Sequence, residues 1–542
     1  MAATPPPDAH PAQRAIDPAT AFMVLSRVGY GPRPGDVEAL MRQGYPAWLE
    51  AQLKAPVADV PEVRERLAAL RLHIRYGANP AWPALDEMRP LAYLDKPIDT
   101  VWAVADGGAP MDGQERRRPM LEVSVATVLR AVYSPWGLRE TMTQFWHDHF
   151  NVDAYSASQI AAALPSYDRE VIRPNALGNF RTFLEAVATS AAMQFYLSNR
   201  TSRAGAANEN YARELFELHT LGRDAYLNDK YDRWRQVPGA LKGQPVGYID
   251  QDVYEAARAF TGWTVADGAG IDGHTKLPRT GQFAYVDVWH DGYQKRVLAT
   301  EFDAFQPARA DGRKVLDLLA AHPATARFVV TKLVRRYVSD EPPERLVAAA
   351  SAVWLAHRQA PDQIAQVMRV ILTSPEFLAS RGAKLRRPLA LVAGFVRATG
   401  QEFTPNETLV NEIANAGQRL FGYPTPNGMP DDRALLITTN GMRRRWTLVL
   451  AVAENAWGTG AFDAAKVMPA TQGGPVPTAQ AAAAQWLART QGFADTAMVE
   501  ALVGGLGWPA DQPLTPPGHP DLNKRLARIA AFAAMAPGFQ SC

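Results

Sequence analysis

The stretch LRETMTQFWHDHF, residues 138–150, decides the fold class of this chain. Its apolar side chains recur at helical spacing, at Leu138, Met142, Phe145, Trp146 and Phe150. That period is typical of a helix that buries one face in a core. The Ser-Pro pair at 134–135 is a helix start signal just before it. The stretch therefore predicts a helix that is buried on one side.

The same period continues through most of the chain. Residues 18–54 predict a helix, a Gly/Pro-rich turn and two short helices. Further helices are predicted over 178–198, 207–221, 250–261, 323–338, 343–358, 361–373 and 386–399. The interval 265–302 is rich in glycine and has alternating apolar segments, which predicts a small β-hairpin insertion. We therefore predict a mainly α fold, a single large multi-helical body with a small β-hairpin insertion.

The chain divides by composition into three parts. Residues 1–17 are rich in Pro and Ala, and we expect a disordered tail there. Residues 18–454 form the predicted helical core, in which 79–113 is interpreted as a long surface connection. Residues 455–542 predict an Ala/Pro-rich region packed on that core, with one good helix near 479–490.

Charge and composition exclude several classes of partner and site. Lys and Arg number 57 against 55 Asp and Glu, a net charge of +2, so no global field would attract nucleic acid or an anionic membrane. The only cysteine, Cys542, excludes intramolecular disulfides and thiolate metal sites. No apolar run could cross a bilayer and no signal peptide is visible. We expect a cytoplasmic protein, or a periplasmic one if a signal was removed.

Two histidines near the end of the 138–150 helix are the first candidate site residues. His147 and His149 are two residues apart, about 200° of helical rotation, so they cannot share one face. His149 continues the apolar face, whereas His147 lies with Glu140 and Gln144. A single ion could bind both only if the helix had ended or unwound there.

The second candidate is the run NENYARELFELHTLG at residues 208–222. On an α-helix, Glu214 and Glu217 form a polar stripe with Asn210 beside an apolar face. Two such carboxylates can bind a hard metal or raise one another's pKa. His219 lies about 140° round the helix from Glu214 and is a weaker candidate. Salt bridging to Arg213, four residues before Glu217, is the alternative interpretation.

These segments together predict a metal-dependent enzyme, with a slight preference for an oxidoreductase acting on a small molecule. Iron, manganese or zinc would be held by His147 or His149 together with Glu214 and Glu217. Substrate would be oriented by one of three further side chains, Asn210, Arg213 or His290. The predicted catalytic residues are Glu214, Glu217, His147 and His290.

Two alternatives remain open from the residues alone. The first is a non-covalent haem oxidoreductase, in which one of the histidines is axial and Phe145, Trp146 and Trp263 form the walls. The second is a non-enzymatic scaffold that binds a partner protein, with the polar residues buried in hydrogen-bond networks. The sequence has no GxSxG, HExxH, Walker or strand-linked GxGxxG motif, so the familiar hydrolase, kinase and dinucleotide-binding classes lack their signatures.

Five segments carry a family resemblance: LSRVGYG at 25–31, FWHDHF at 145–150, the 208–222 run, AFTGW at 259–263 and HPATARF at 322–328. From about residue 20 to about residue 450 the chain resembles the bacterial family called domain of unknown function 1800 (DUF1800). The resemblance implies no assigned activity. Its members are often exported and encoded beside an alkaline-phosphatase-like sulfatase, which implies a sulfatase-like partner. This chain departs from them in showing no signal. The family pattern also accepts an aromatic residue at the position of His219.

Overall fold

The computed structural model describes residues 16–105, 108–463, 476–516 and 519–542. In these ranges the chain is mainly α, with only small two-stranded antiparallel sheets, so the predicted fold class is confirmed. The predicted N-terminal tail falls mostly on residues 1–15, which lie outside the described residues. None of the helices within the described ranges is long and apolar enough to span a bilayer.

The first part of the body follows the prediction of a helix, a turn and two short helices. Asp17 caps the first of them, since its carboxylate accepts a hydrogen bond from the Thr20 amide at 2.7 Å. The helices here are Pro18–Val28, Asp36–Gln43, Tyr45–Leu53 and Pro61–Ala69. They are followed by the hairpin Arg71–Tyr76 with Leu85–Pro90 and by the short helix Ile98–Val101. The expected long surface connection at 79–113 is therefore wrong in part.

The central helices include the predicted 138–150 helix, which spans Gly137–His149. Those that precede the insertion are Gly113–Tyr133, Gly137–His149, Ser158–Ser166, Arg173–Asn175, Phe180–Ala188, Ala191–Tyr196, Glu209–Glu214 and Asp250–Ala259. Two segments, Tyr167–Ile172 and Leu215–His219, are π-helices. The helix predicted over 178–198 is broken because the Ser190 hydroxyl caps a new one, accepting from the Met193 amide.

The predicted insertion at 265–302 holds two hairpins rather than one. Trp263–Asp267 pairs with Arg279–Tyr285, and Lys295–Val297 pairs with Thr300–Phe302, both antiparallel. The helices after the insertion are Ala310–Ala321, Pro323–Tyr337, Glu344–Ala356, Gln363–Thr373, Pro375–Leu378, Pro388–Thr399, Glu407–Asn415 and Thr439–Ala453. Those near the C-terminus are Ala479–Gln491, Thr496–Leu506, Leu522–Met535 and Pro537–Gln540. The helix predicted near 479–490 is confirmed, and Thr496–Leu506 was not predicted.

One connected hydrophobic cluster runs from Ala21 to Phe539 through the described residues. The Gly137–His149 helix approaches the first helix closely, because a Cβ on Gly137 would lie only 2.8 Å from the Cα of Gly29. Leu522–Met535 packs on Thr439–Ala453, so the last helices share the core. The helix that carries both candidate histidines also packs on Tyr45–Leu53 and Gly113–Tyr133.

Candidate functional site

The two histidines of the Gly137–His149 helix contact different parts of the protein. His147 Nε2 lies 3.0 Å from Oδ1 of Asp168, and His149 Nε2 lies 3.1 Å from the His219 carbonyl. Both rings are buried. The prediction that they occupy different faces is confirmed, because the helix remains regular through His149.

His149 is held as a neutral imidazole with a defined tautomer. Its Nε2 must carry the hydrogen, since the His219 carbonyl can only accept. Its Nδ1 therefore accepts a hydrogen bond from Lys332 Nζ at 2.9 Å. Burial, and then the positive charge of Lys332, lower the pKa of His149 well below its ordinary value. The ring also stacks on Phe145, with centroids 6.1 Å apart.

Lys332 comes from the Pro323–Tyr337 helix, which crosses the end of the histidine helix. Burial lowers the pKa of Lys332 to about 8, although the charges of Asp148 and Asp431 act in the opposite direction. Those two carboxylates are already bound by Arg387. Among the described residues Lys332 forms no ion pair of its own. The hydrogen bond of the amine goes to an uncharged imidazole, whereas the Phe328 ring, with its centroid 5.5 Å from Nζ, and the charges of Asp148 and Asp431 favour the charged amine.

Lys332 and His149 line a cavity of about 600 Å³. Its apolar wall comes from four elements and consists of Phe145, Leu218, Phe328, Met429 and Pro430. Its acidic side includes Asp340, which is neutralised by Lys384. The other carboxylates in the lining are Asp148, Glu341, Asp431 and Asp432, so the polar side of the cavity is mostly acidic. A cavity of this size, with one apolar wall opposite charged groups, is large enough for a small molecule.

The segment Leu215–His219 at the end of the 208–222 run is a π-helix and not the regular α-helix that the helical wheel assumes. The wheel assumes 100° per residue, whereas an i→i+5 turn contains an extra residue and changes the direction of the side chains after it. Leu218 consequently lines the cavity and the His219 carbonyl receives His149. Burial lowers the pKa of His219 to about 3, so its ring is neutral as well. His219 belongs to the site through its backbone.

His147 belongs to a buried ion network on the opposite side. The second oxygen of Asp168 accepts from Nε of Arg173 at 2.9 Å, and Arg173 holds Glu140 with its other two nitrogens. Burial alone would raise the pKa of Asp168, but Arg173, His147 and Arg130 outweigh it and hold that pKa below its usual range. The network ties three chain segments together.

The two glutamates of the 208–222 run have separate environments. Glu217 is bound by Arg223, whereas Glu214 is half-buried and accepts no hydrogen bond from any residue that the structure describes. Burial, and then the charge of Glu217, raise the pKa of Glu214. Arg213 binds Glu209 and Asp250, so the expected pair between Arg213 and Glu217 is wrong.

Three other predicted site residues do not line the 600 Å³ cavity. His290 Nδ1 lies 2.9 Å from the Thr261 carbonyl, and its Nε2 lies 3.3 Å from Asp311. The Trp146 indole is fully buried and donates to the Ala176 carbonyl at 2.9 Å. Asn210 is exposed in the first turn of its helix. None of these contacts leads to the Lys332 amine.

The metal set expected from the sequence does not assemble. Among the described residues, no group of three or more His, Cys, Asp and Glu side chains could hold a metal ion, so His147, His149, Glu214 and Glu217 are not a common ligand set. Both ring nitrogens of His149 are engaged, which does not fit an axial haem ligand. Trp263 is buried in the core. A metal or haem cofactor stays a prediction that these residues do not support.

Sequence reasoning missed Lys332. A lone lysine in an amphipathic helix is usually a surface residue, and no motif marks it. The available signal was its position in Phe-Val-Val-Thr-Lys-Leu-Val, residues 328–334, where apolar residues lie on both sides of it. That pattern is compatible with a half-buried lysine, but it does not indicate the residue that contacts the amine.

No curated protein and no solved structure matches this chain. A family model described as "Protein of unknown function (DUF1800)" matches residues 23–541, nearly the whole sequence, and extends past residue 450, where the resemblance ended. The chain therefore belongs to the DUF1800 family.

Proposed function

We propose that this chain is an enzyme in which the Lys332 amine reacts with the carbonyl group of a small molecule bound in the 600 Å³ cavity. The observation that carries the proposal is the contact of Lys332 Nζ with Nδ1 of a neutral His149 at 2.9 Å, in a cavity wall. A lysine desolvated in this way is activated as a nucleophile, because more of it is uncharged near neutral pH.

The lowered pKa has a large effect on the reactive fraction. With a pKa of about 8, roughly a tenth of the Lys332 amine is uncharged at pH 7. An ordinary lysine has roughly four uncharged amines in ten thousand at that pH. This larger uncharged fraction at pH 7 supports a reaction of the Lys332 amine with a substrate rather than a role in a salt bridge.

The step conserves atoms and electrons without a further reactant. The lone pair of Nζ attacks the carbonyl carbon, a C–N bond forms, and the C=O π pair moves to oxygen. That oxygen gains a proton and nitrogen loses one, which gives a carbinolamine. Loss of water then yields an imine.

His149 is a positioning residue in this scheme. Its lowered pKa keeps the imidazole neutral, with its one hydrogen on Nε2, so its Nδ1 accepts one N–H of Lys332 and fixes the direction of the amine. The His219 carbonyl in turn fixes the imidazole. Phe145, Leu218 and Phe328 offer apolar contact for the rest of the substrate.

Reductive trapping tests the proposal. The protein is incubated at pH 8 with benzaldehyde, hexanal or pyruvate and sodium cyanoborohydride, and the modified lysines are mapped by peptide mass. We expect the fastest adduct at Lys332, lost in Lys332→Met and retained in Lys242→Met, which removes an exposed lysine. Modification of exposed lysines only, with Lys332 unmodified, overturns the proposal.

The metal-dependent reaction expected from the sequence has its own measurement. Elemental analysis of purified protein would give stoichiometric iron, manganese or zinc if such a centre forms, and an absorption spectrum would give a Soret band for haem. If the purified protein contains no metal or haem and Lys332 forms no adduct, the result favours the non-enzymatic scaffold that binds a partner protein. A sulfatase-like partner remains a proposal from the family resemblance alone.

A further inference from the structure

A second cavity, of about 760 Å³, lies on the His147 side of the molecule. It is lined by parts of the 57–68, 91–96 and 165–173 segments and by two residues of the Gly113–Tyr133 helix. Its cationic side chains are Arg64, Lys96, Arg130, Arg169 and Arg173. Three carboxylates line it too, so the formal charge of the lining is +2.

We call the buried part of the cavity, where Arg130 lies, its inner end, and the part lined by exposed side chains its outer end. Two nitrogens of Arg130 hold Asp59, at 2.9 to 3.1 Å. The third, Nη1, is buried and forms an ion pair with Asp168 at 3.7 Å, but it makes no hydrogen bond to a described residue. A buried guanidinium N–H without an acceptor is unfavourable, and an oxyanion is the acceptor that this group binds best.

The charge at the outer end comes from Arg64 and Lys96. Both side chains are exposed, and neither forms an ion pair with a residue that the structure describes. The carboxylates of Asp59 and Asp168 are already bound by arginines, whereas Asp95 is exposed. The unpaired charge around this cavity is therefore mainly positive.

We infer that this cavity binds a small oxyanion, a phosphate or carboxylate compound, between Arg130 at the inner end and the Arg64–Lys96 pair at the outer end. Its volume would hold a molecule larger than inorganic phosphate. The inference does not depend on the reaction proposed for Lys332, which lines the other cavity.

Titration calorimetry tests the inference with inorganic phosphate, pyrophosphate and citrate at constant ionic strength. We expect saturable one-site binding of at least one of them to the wild-type chain. The variant Arg64→Gln/Lys96→Gln should bind at least ten times more weakly. The control Lys242→Gln/Arg345→Gln removes the same charge from exposed residues outside the cavity and should bind as wild type does.

The relative affinities for the three probes also indicate the class of the ligand. A preference for pyrophosphate indicates a phosphate compound, and a preference for citrate indicates a polycarboxylate. No saturable binding of any probe, or equal weakening in the control, overturns the inference. Trapping at Lys332 should continue in Arg64→Gln/Lys96→Gln, so a failure of one proposal is distinguishable from a failure of the other.

Discussion

At the residue scale, Lys332 is a cation without an ion pair among the described residues, and its hydrogen bond goes to a neutral imidazole. His149 accepts its hydrogen bond, and the two carboxylates whose charges act on the amine, Asp148 and Asp431, are bound by Arg387. Burial is the largest cause of the lowered pKa. A lysine in this state costs stability when charged, and that cost gives a measurable dependence on pH.

Lys332→Met should change how stability depends on pH. The pKa of Lys332 is about 8 in the folded chain and about 10.4 when unfolded, so the unfolded chain binds more protons between these values. The free energy of unfolding of the wild type should therefore rise with pH through this window relative to Lys332→Met, by at most about 3 kcal/mol. Urea unfolding from pH 7 to pH 10 measures the difference, and a constant difference contradicts the prediction.

Two histidine variants test whether His219 acts through its backbone carbonyl and His149 through its side chain. His219→Phe removes a buried Nε2 that has no partner among the described residues, so stability should stay the same or rise by about 1 kcal/mol. Trapping at Lys332 should persist, since the carbonyl at 219 remains. His149→Phe removes the acceptor of Lys332 and should slow trapping at least tenfold. Equal trapping in the two variants would argue against a positioning role for His149.

At the element scale, the histidine helix is fixed by close contact with the first helix and by a π-helix at its end. Gly137 meets Gly29, and the Leu215–His219 segment presents a backbone carbonyl to His149. Such close helix contact depends on the absence of a side chain. This helix contributes Phe145, Asp148 and His149 to the lining of the 600 Å³ cavity.

Gly137→Ala should destabilise the protein by about 1–3 kcal/mol, because the added methyl group would overlap the Gly29 backbone. Gly113→Ala is the matched control. Gly113 is also the first residue of a helix, and a Cβ there meets nothing within 4 Å. Chemical denaturation of both variants measures the effect, and equal stabilities would mean that the two helices separate at no cost.

The sequence predicted elements better than it predicted their geometry. Periodicity located the 137–149, 250–259 and 323–337 helices and placed His147 and His149 on different faces. It could not indicate a π-turn after Glu214, because helical period alone does not report an inserted residue. The pairing of Lys332 with His149 spans 183 positions, and local pattern contains no information on such a contact.

At the scale of the whole molecule, one hydrophobic cluster joins residues from both ends of the described chain. Phe539 is buried in it and lies under the Arg386 guanidinium, 4.7 Å from the ring centroid. Arg27, in the first helix, donates to the carbonyl of Tyr337 at 2.6 Å. Cohesion of this kind favours unfolding as one unit.

Phe539→Ala should lower the stability of the whole molecule by about 3–5 kcal/mol, because it removes a buried ring. Calorimetry and tryptophan fluorescence should give one shared unfolding transition that shifts to lower temperature. If two unfolding transitions appear and Phe539→Ala lowers the temperature of only one of them, the C-terminal helices form an independent unit.

The most direct test of the role proposed for Lys332 is the pH dependence of its chemical labelling. Trace acetylation of the folded protein, mapped by peptide mass from pH 6 to pH 11, gives a rate for each lysine. We predict a labelling midpoint near pH 8 for Lys332, and the exposed Lys242 is the reference residue in the same experiment. A midpoint for Lys332 equal to that of Lys242, or no labelling of Lys332 at any pH, would contradict an activated amine in the cavity.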